Sequence, residues 1–190
     1  AMQRASVRGA DMAAGETIAT GRDLDVAVET DALIAVQAVD GTEAYTRRGD
    51  LQVDGDGVLN SAGRPVIGEG GPIIVPLGAK LSMGADGTLS AIGAGEDPDA
   101  LVQIGRVKLV NGGEADLQRG EDGLFRGPDG ALPMDENARL VAGALEGSNV
   151  SPVESMVAMI DNGRRYEMQM KVIDTADQNA QRADSLLSIQ

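Results

Sequence analysis

From Ser151 to Gln190 the chain runs forty residues without a proline after Pro152, and this stretch limits the possible folds more than any other. Ser151, Pro152 and Glu154 mark a helix start: a side-chain oxygen at the N-cap, proline at the first helical position, and a glutamate three residues after the serine to close a capping box. Only Gly163 interrupts the run to Ile189, so at ~1.5 Å per residue the predicted rod exceeds 50 Å, more than one small domain needs. Met159, Tyr166, Ile173, Ala180 and Leu187 recur every seven residues, with Met156, Met170, Ala176 and Ala183 nearby, which is coiled-coil periodicity. Asp161 with Arg165, and Glu167 with Lys171, stand four apart with the acid first, the favourable order on a solvated face. Periodicity alone leaves two readings, a helix packed against other chains and a terminal helix docked on its own domain.

The rest of the chain reads as β. Residues 1–21 are polar, small and turn-rich, and then Leu24, Val26 and Val28 alternate with polar residues as a half-buried strand does. Asp-Gly pairs follow at Asp40, Asp54, Asp56, Asp86, Asp122 and Asp129, between short apolar runs such as Leu33–Val39, Ile73–Val75, Thr88–Ile92 and Val107–Val110. A tight hairpin turn needs positive φ, which glycine adopts freely and aspartate tolerates. The expected fold is therefore mainly β: an antiparallel, sandwich- or barrel-like domain of short hairpins, followed by one long C-terminal helix. The organisation expected is an extended segment over 1–21, a β domain over 22–147 and a coiled-coil-type helix over 151–190. Gly93–Asp99 reads as a loop inside the β domain.

Composition excludes several functions. Cysteine and histidine are absent, which removes disulfides, thiolate nucleophiles and the commonest general bases and metal ligands. A net charge of -14 repels phosphate backbones and anionic lipid, so no nucleic-acid partner is expected. Tyr45, Tyr166 and Phe125 are the only aromatics, which leaves little to stack on bases or sugars and a core of Val, Leu, Ile and Ala. No apolar run approaches the ~20 residues that span a bilayer, so membrane insertion is not expected.

Three constellations suggest chemistry and fall short of it. Asp54-Gly55-Asp56-Gly57 with Asn60 resembles the start of a calcium loop, but the sixth and twelfth positions are Leu59 and Pro65, where glycine and a bidentate glutamate are needed. Arg48-Gly49-Asp50 is an adhesion-type tripeptide that reads more economically as a turn between strands. Acid pairs such as Asp23 with Asp25, or Glu96 with Asp97, arise by chance among 30 acidic residues. Gly68-Glu69-Gly70-Gly71 and Gly112-Gly113 lack the Gly-Lys-Ser/Thr ending of a phosphate loop. No enzyme, cofactor or metal is expected.

Gly143-Ala144-Leu145-Glu146-Gly147-Ser148-Asn149-Val150, followed by Met159-Ile160, Arg164, Tyr166-Glu167, Lys171, Thr175 and Asp177, resembles the C-terminal signature of the flagellar rod and hook proteins. Thr20–Val28, Ala44–Arg47, Gly49–Asp54, Val107–Asn111 and Gly123–Arg126 fit the same family, so the resemblance covers about residues 20 to 190. It departs at Thr30–Ile34, where the family usually has a glycine-containing turn and an aromatic pair. The family begins with a long helix that pairs with the C-terminal one, and here Ala1-Met2 reads like the scar of an expression tag in its place. The resemblance implies a structural axial subunit that self-associates and packs with other rod subunits into a helical tube. It also implies a place in the basal-body rod, in the periplasmic space, after type III export without a cleaved signal. The residues expected to pack are Met156, Met159, Tyr166, Met170, Ile173 and Leu187, with Leu145, Ser148, Asn149 and Val150 fixing where the helix leaves the β domain. Rival readings are a distal rod or hook protein of the same family, and more remotely a secreted carbohydrate-active or adhesive domain.

Overall fold

Tight turns organise the β part of the chain, as the computed structural model shows over the residues it describes, 15–93, 100–113, 117–128, 130–149 and 152–187. The first strands are β1 (Thr17–Ala19), β2 (Val26–Val28), β3 (Ala32–Gln37), β4 (Glu43–Thr46), β5 (Leu51–Val53) and β6 (Leu59–Ser61). Then come β7 (Arg64–Pro65), β8 (Ile67–Gly68), β9 (Gly71–Pro72), β10 (Lys80–Met83), β11 (Thr88–Ile92) and β12 (Val102–Arg106). The last are β13 (Leu109–Asn111), β14 (Gln118–Arg119), β15 (Phe125–Arg126), β16 (Leu140–Ala142) and β17 (Ala144–Glu146), before the single helix α1 (Pro152–Leu187). The chain divides after Asn149 into a β unit and a helical unit.

Four hairpins turn in the same way. Gly41, Gly57, Gly87 and Gly123 take φ of 82°, 83°, 84° and 78°. Each glycine amide donates to the carbonyl three residues back, at Ala38, Asp54, Gly84 and Gly120. An aspartate carboxylate then caps the turn by accepting a backbone amide, from Thr42 to Asp40, Val58 to Asp54, Thr88 to Asp86 and Leu124 to Asp122. Local chemistry thus sets these turns, and Asp129 lies outside the described residues.

The strands pair antiparallel in small sheets. The largest has the order β13-β3-β4-β15-β14, two three-stranded sheets are β10-β11-β12 and β5-β6-β7, and β1-β17, β16-β2 and β8-β9 stand as pairs. β3 is covered on both faces, which explains why Ala32–Val36 reads as a continuous apolar run rather than an alternating one, whereas Val39, at the end of the expected run, is exposed. Ile34 and Val36 face the main core with Val26, Leu51, Leu59, Val66, Leu89, Val107 and Leu140, whereas Leu33 and Ala35 join Tyr45 and Val110 in a second cluster. β2 departs from the half-buried pattern expected of it, because Ala27 is buried along with Val26 and Val28. Ile73–Val75 also differs from expectation: it forms only an isolated bridge from Ile74 to Val58.

Tyr45 is the largest fully buried side chain. Its hydroxyl donates to Glu43 Oε1 at 2.7 Å and accepts the Leu132 amide, while Lys108 Nζ meets the same Glu43 oxygen at 2.7 Å. Burial pushes its pKa up to about 12, so the hydroxyl keeps its proton.

Thr30 stands in the position of the turn glycine that the resemblance led us to expect. Its φ is 51°, left-handed, and the Ala32 amide closes the turn on the Glu29 carbonyl at 3.0 Å. A β-branched residue there is strained. Thr30→Gly is expected to stabilise the β unit by roughly 1 kcal/mol, relief of the left-handed strain exceeding the entropy glycine adds to the unfolded chain. Thermal unfolding should show a rise of roughly 3 °C; a fall would show that the threonine is not strained.

Candidate assembly interface

α1 spans 36 residues, so its length is about 54 Å at the helical rise. Within it Met156, Met159, Gly163, Tyr166, Met170 and Ile173 follow alternating steps of three and four, the spacing that lines up one edge of a helix. The five apolar side chains of that seam are exposed, from 49% at Met170 to 73% at Met159. Val153, Val157, Ile160, Met168 and Val172 are exposed as well. At 3.6 residues per turn they fall outside the seam, so the helix is apolar on more than one side. Val153, Val157 and Ile160 keep steps of four and three, but the next step, to Met168, is eight, so no heptad continues through this second set. A helix of this kind in a soluble protein is covered by neighbours on several sides rather than by one partner.

Other expectations for the helix meet mixed outcomes. Leu187 closes α1, but its side chain lies outside the described ones, and Val150 and the capping Ser151 fall outside the described residues altogether. The pairs Asp161–Arg165 and Glu167–Lys171 do not close to ion-pair distance among the described residues, because exposed long side chains gain too little to hold one geometry. Thr175 Oγ1 instead donates back to the Lys171 carbonyl at 2.7 Å, and Gln178 Nε2 to Asp174 Oδ2 at 3.2 Å.

The residues leading to the helix begin on β17. There Leu145 is half-buried opposite Ile18 of β1, and Ser148 and Asn149 are exposed. Between them Glu146 binds Arg47 Nε through Oε2 at 2.7 Å and accepts the Gly15 amide on Oε1 at 2.9 Å. Arg47 Nη1 also donates to the Thr30 carbonyl at 2.8 Å. Sequence reading missed this network, since Arg47 and Glu146 lie 99 residues apart.

The constellations that hinted at chemistry are occupied by the fold. Asp54 Oδ1 accepts the Asp56 and Val58 amides, and Oδ2 accepts Asn60 Nδ2 at 2.8 Å, so the residues that suggested a calcium loop bind one another. Arg48 chelates Asp50 through Nε and Nη2 at 3.1 and 2.8 Å, and Gly49 is buried against the Val26 backbone, which is no turn tip for an adhesion receptor. Asp25 is 1% exposed and ion-paired with Arg22, and Glu96 and Asp97 lie outside the described residues.

The turn aspartates titrate in the direction opposite to a general acid. The Thr42 hydroxyl lowers the pKa of Asp40, the Val58 amide that of Asp54, the Thr88 hydroxyl that of Asp86, and the Arg126 guanidinium that of Asp122. A glycosidase acid needs its pKa raised.

Comparison with known proteins agrees with this geometry. Residues 141–186, which include most of α1, match the family model "Flagellar basal body rod FlgEFG protein C-terminal", and residues 27–91 match "Flagellar hook protein FlgE/F/G D1 domain". The chain is 50% identical over 192 residues to the flagellar basal-body rod protein FlgF of Salmonella typhimurium, covering 97% of this chain and 76% of that protein. It is 48% identical to FlgF of Escherichia coli, over 97% of this chain and 76% of the relative. Similarity to the rod protein FlgG of Buchnera aphidicola subsp. Schizaphis graminum is lower, 32% over 181 residues, covering 90% of this chain and 68% of the relative. A chain with a helix apolar on several sides, and with a β unit whose acidic loops are committed to its own turns, thus belongs to the FlgF family of flagellar basal-body rod proteins.

Proposed function

We propose that this chain builds the rod by helix packing, with the seam of Met156, Met159, Tyr166, Met170, Ile173 and Leu187 set against helices of neighbouring subunits. Leu145, Ser148, Asn149 and Val150 mark the place where the helix-forming segment leaves the β unit. The observation that carries this reading is the exposed apolar surface along α1, on the seam and off it. Contacts between unlike surfaces of identical chains that do not close into a ring extend as an open helix, the form a rod requires. The partners are further copies of this chain and adjoining rod subunits, and the site of action is the rod in the periplasmic space, reached without a cleaved signal. The identities support FlgF over FlgG, and the committed aspartates speak against a hydrolytic or adhesive domain.

An epitope inserted in the exposed turn at Asp40–Thr42 of the natural protein tests the placement. Immunogold electron microscopy of basal bodies from a motile host should label the rod. Label confined to the hook, or to soluble fractions of a swimming strain, would refute it.

A further inference from the structure

β1 and β17 bring the two ends of the β unit together, yet little apolar burial holds them. Thr17, Ile18 and Ala19 are all exposed, and the ladder is three residue pairs long. Such a ribbon is marginal in water unless something anchors it. The anchor is polar. Glu146 takes the Gly15 amide on one oxygen and Arg47 on the other, and Arg47 in turn holds the Thr30 carbonyl in the left-handed turn. The two charged side chains are only 15% and 12% exposed, so the pair lies where solvent screens it weakly. Beside it the Gly147 amide donates to the Glu16 carbonyl at 2.8 Å, and a side chain at Gly15 would run into the Gly147 carbonyl. The chain is therefore drawn closely together at the point where both ends of the β unit emerge.

We infer that Arg47 and Glu146 are positioning residues, a charged latch that keeps the segments entering and leaving the β unit side by side. Its service to rod assembly rests on the function proposed above, because a helix that packs against neighbouring subunits needs a fixed point of departure from the β unit. The latch itself does not depend on that reading.

Hydrogen exchange on the whole chain tests it. Glu146→Gln keeps the shape and removes the charge. It should speed exchange of the amides that the ladder protects, those of Ile18, Thr20, Leu145 and Gly147, at least tenfold, while the amides of β3 and β4 keep their protection. Unchanged exchange at these ends would overturn the latch, and an equal loss throughout the β unit would reduce the pair to general stability. Ala19 and Ala144 face each other across the ladder as a pair whose amides point away from one another, a spacing that accepts a disulfide. With no other cysteine in the chain, A19C and A144C added to the Glu146→Gln variant should restore protection on oxidation. Failure of an oxidised staple to do so would also count against the latch. If exchange behaves as expected but Glu146→Gln in the natural protein leaves swimming intact, the latch stands and its use in assembly falls.

Discussion

Gly49→Ala should destabilise the β unit by about 4 kcal/mol, through forced displacement of packed backbone together with a lost hydrogen bond. A Cβ at that position would lie inside the Val26 carbonyl oxygen, 2.6 Å from its carbon and 2.9 Å from Val26 Cγ2. The Val26 amide also donates to the Gly49 carbonyl at 2.9 Å, so neither strand can retreat without breaking that bond and the Asp25–Asp50 bridge beside it. Backbone, unlike the tip of a flexible side chain, has nowhere to turn. Against a total stability of order 5–15 kcal/mol the loss is severe. Urea unfolding followed by circular dichroism should show a sharply lower midpoint, and a change below about 1 kcal/mol would mean that β2 yields easily. The glycine of Arg48-Gly49-Asp50 is thus explained by packing, with no adhesive role required.

Sequence reading succeeded where the causes are local. Asp-Gly announced the hairpin tips because glycine supplies positive φ and an aspartate, the neighbour at Gly41, Gly87 and Gly123 and Asp54 at Gly57, caps the turn within five positions. The long helix was legible for the same reason, from its spacing and its lack of proline. It failed where the cause lies elsewhere in the chain. Ala27 is buried although it lies on the face of β2 opposite Val26 and Val28, and the alternation of Leu24, Val26 and Val28 says nothing of that second face. Thr17–Ala19, short and exposed, forms β1 only because β17 lies opposite, so the β unit reaches into the segment expected to precede it. Thr30 hid a left-handed turn because threonine is among the residues least suited to one. On α1 the heptad spacing was readable, whereas the exposure of Val153, Val157, Ile160, Met168 and Val172 around the helix became evident only from the structure.

Helix packing in the rod would fall first on the seam. Tyr166 and Ile173 are 64% and 56% exposed, so aspartate at both costs the isolated chain little, and the melting temperature of the β unit should move by no more than about 1 °C. In an assembled rod each would place a carboxylate where an apolar side chain packs. That forfeits about 1.5–3 kcal/mol of burial per site and adds the cost of an unpaired charge, repeated at every subunit contact. The deciding measurement is electron microscopy of basal bodies, with swimming assayed in parallel, from a motile host whose natural copy carries Tyr166→Asp and Ile173→Asp. Basal bodies lacking a complete rod, in non-swimming cells that still make a folded β unit, are the expected result; complete rods and normal swimming would contradict it.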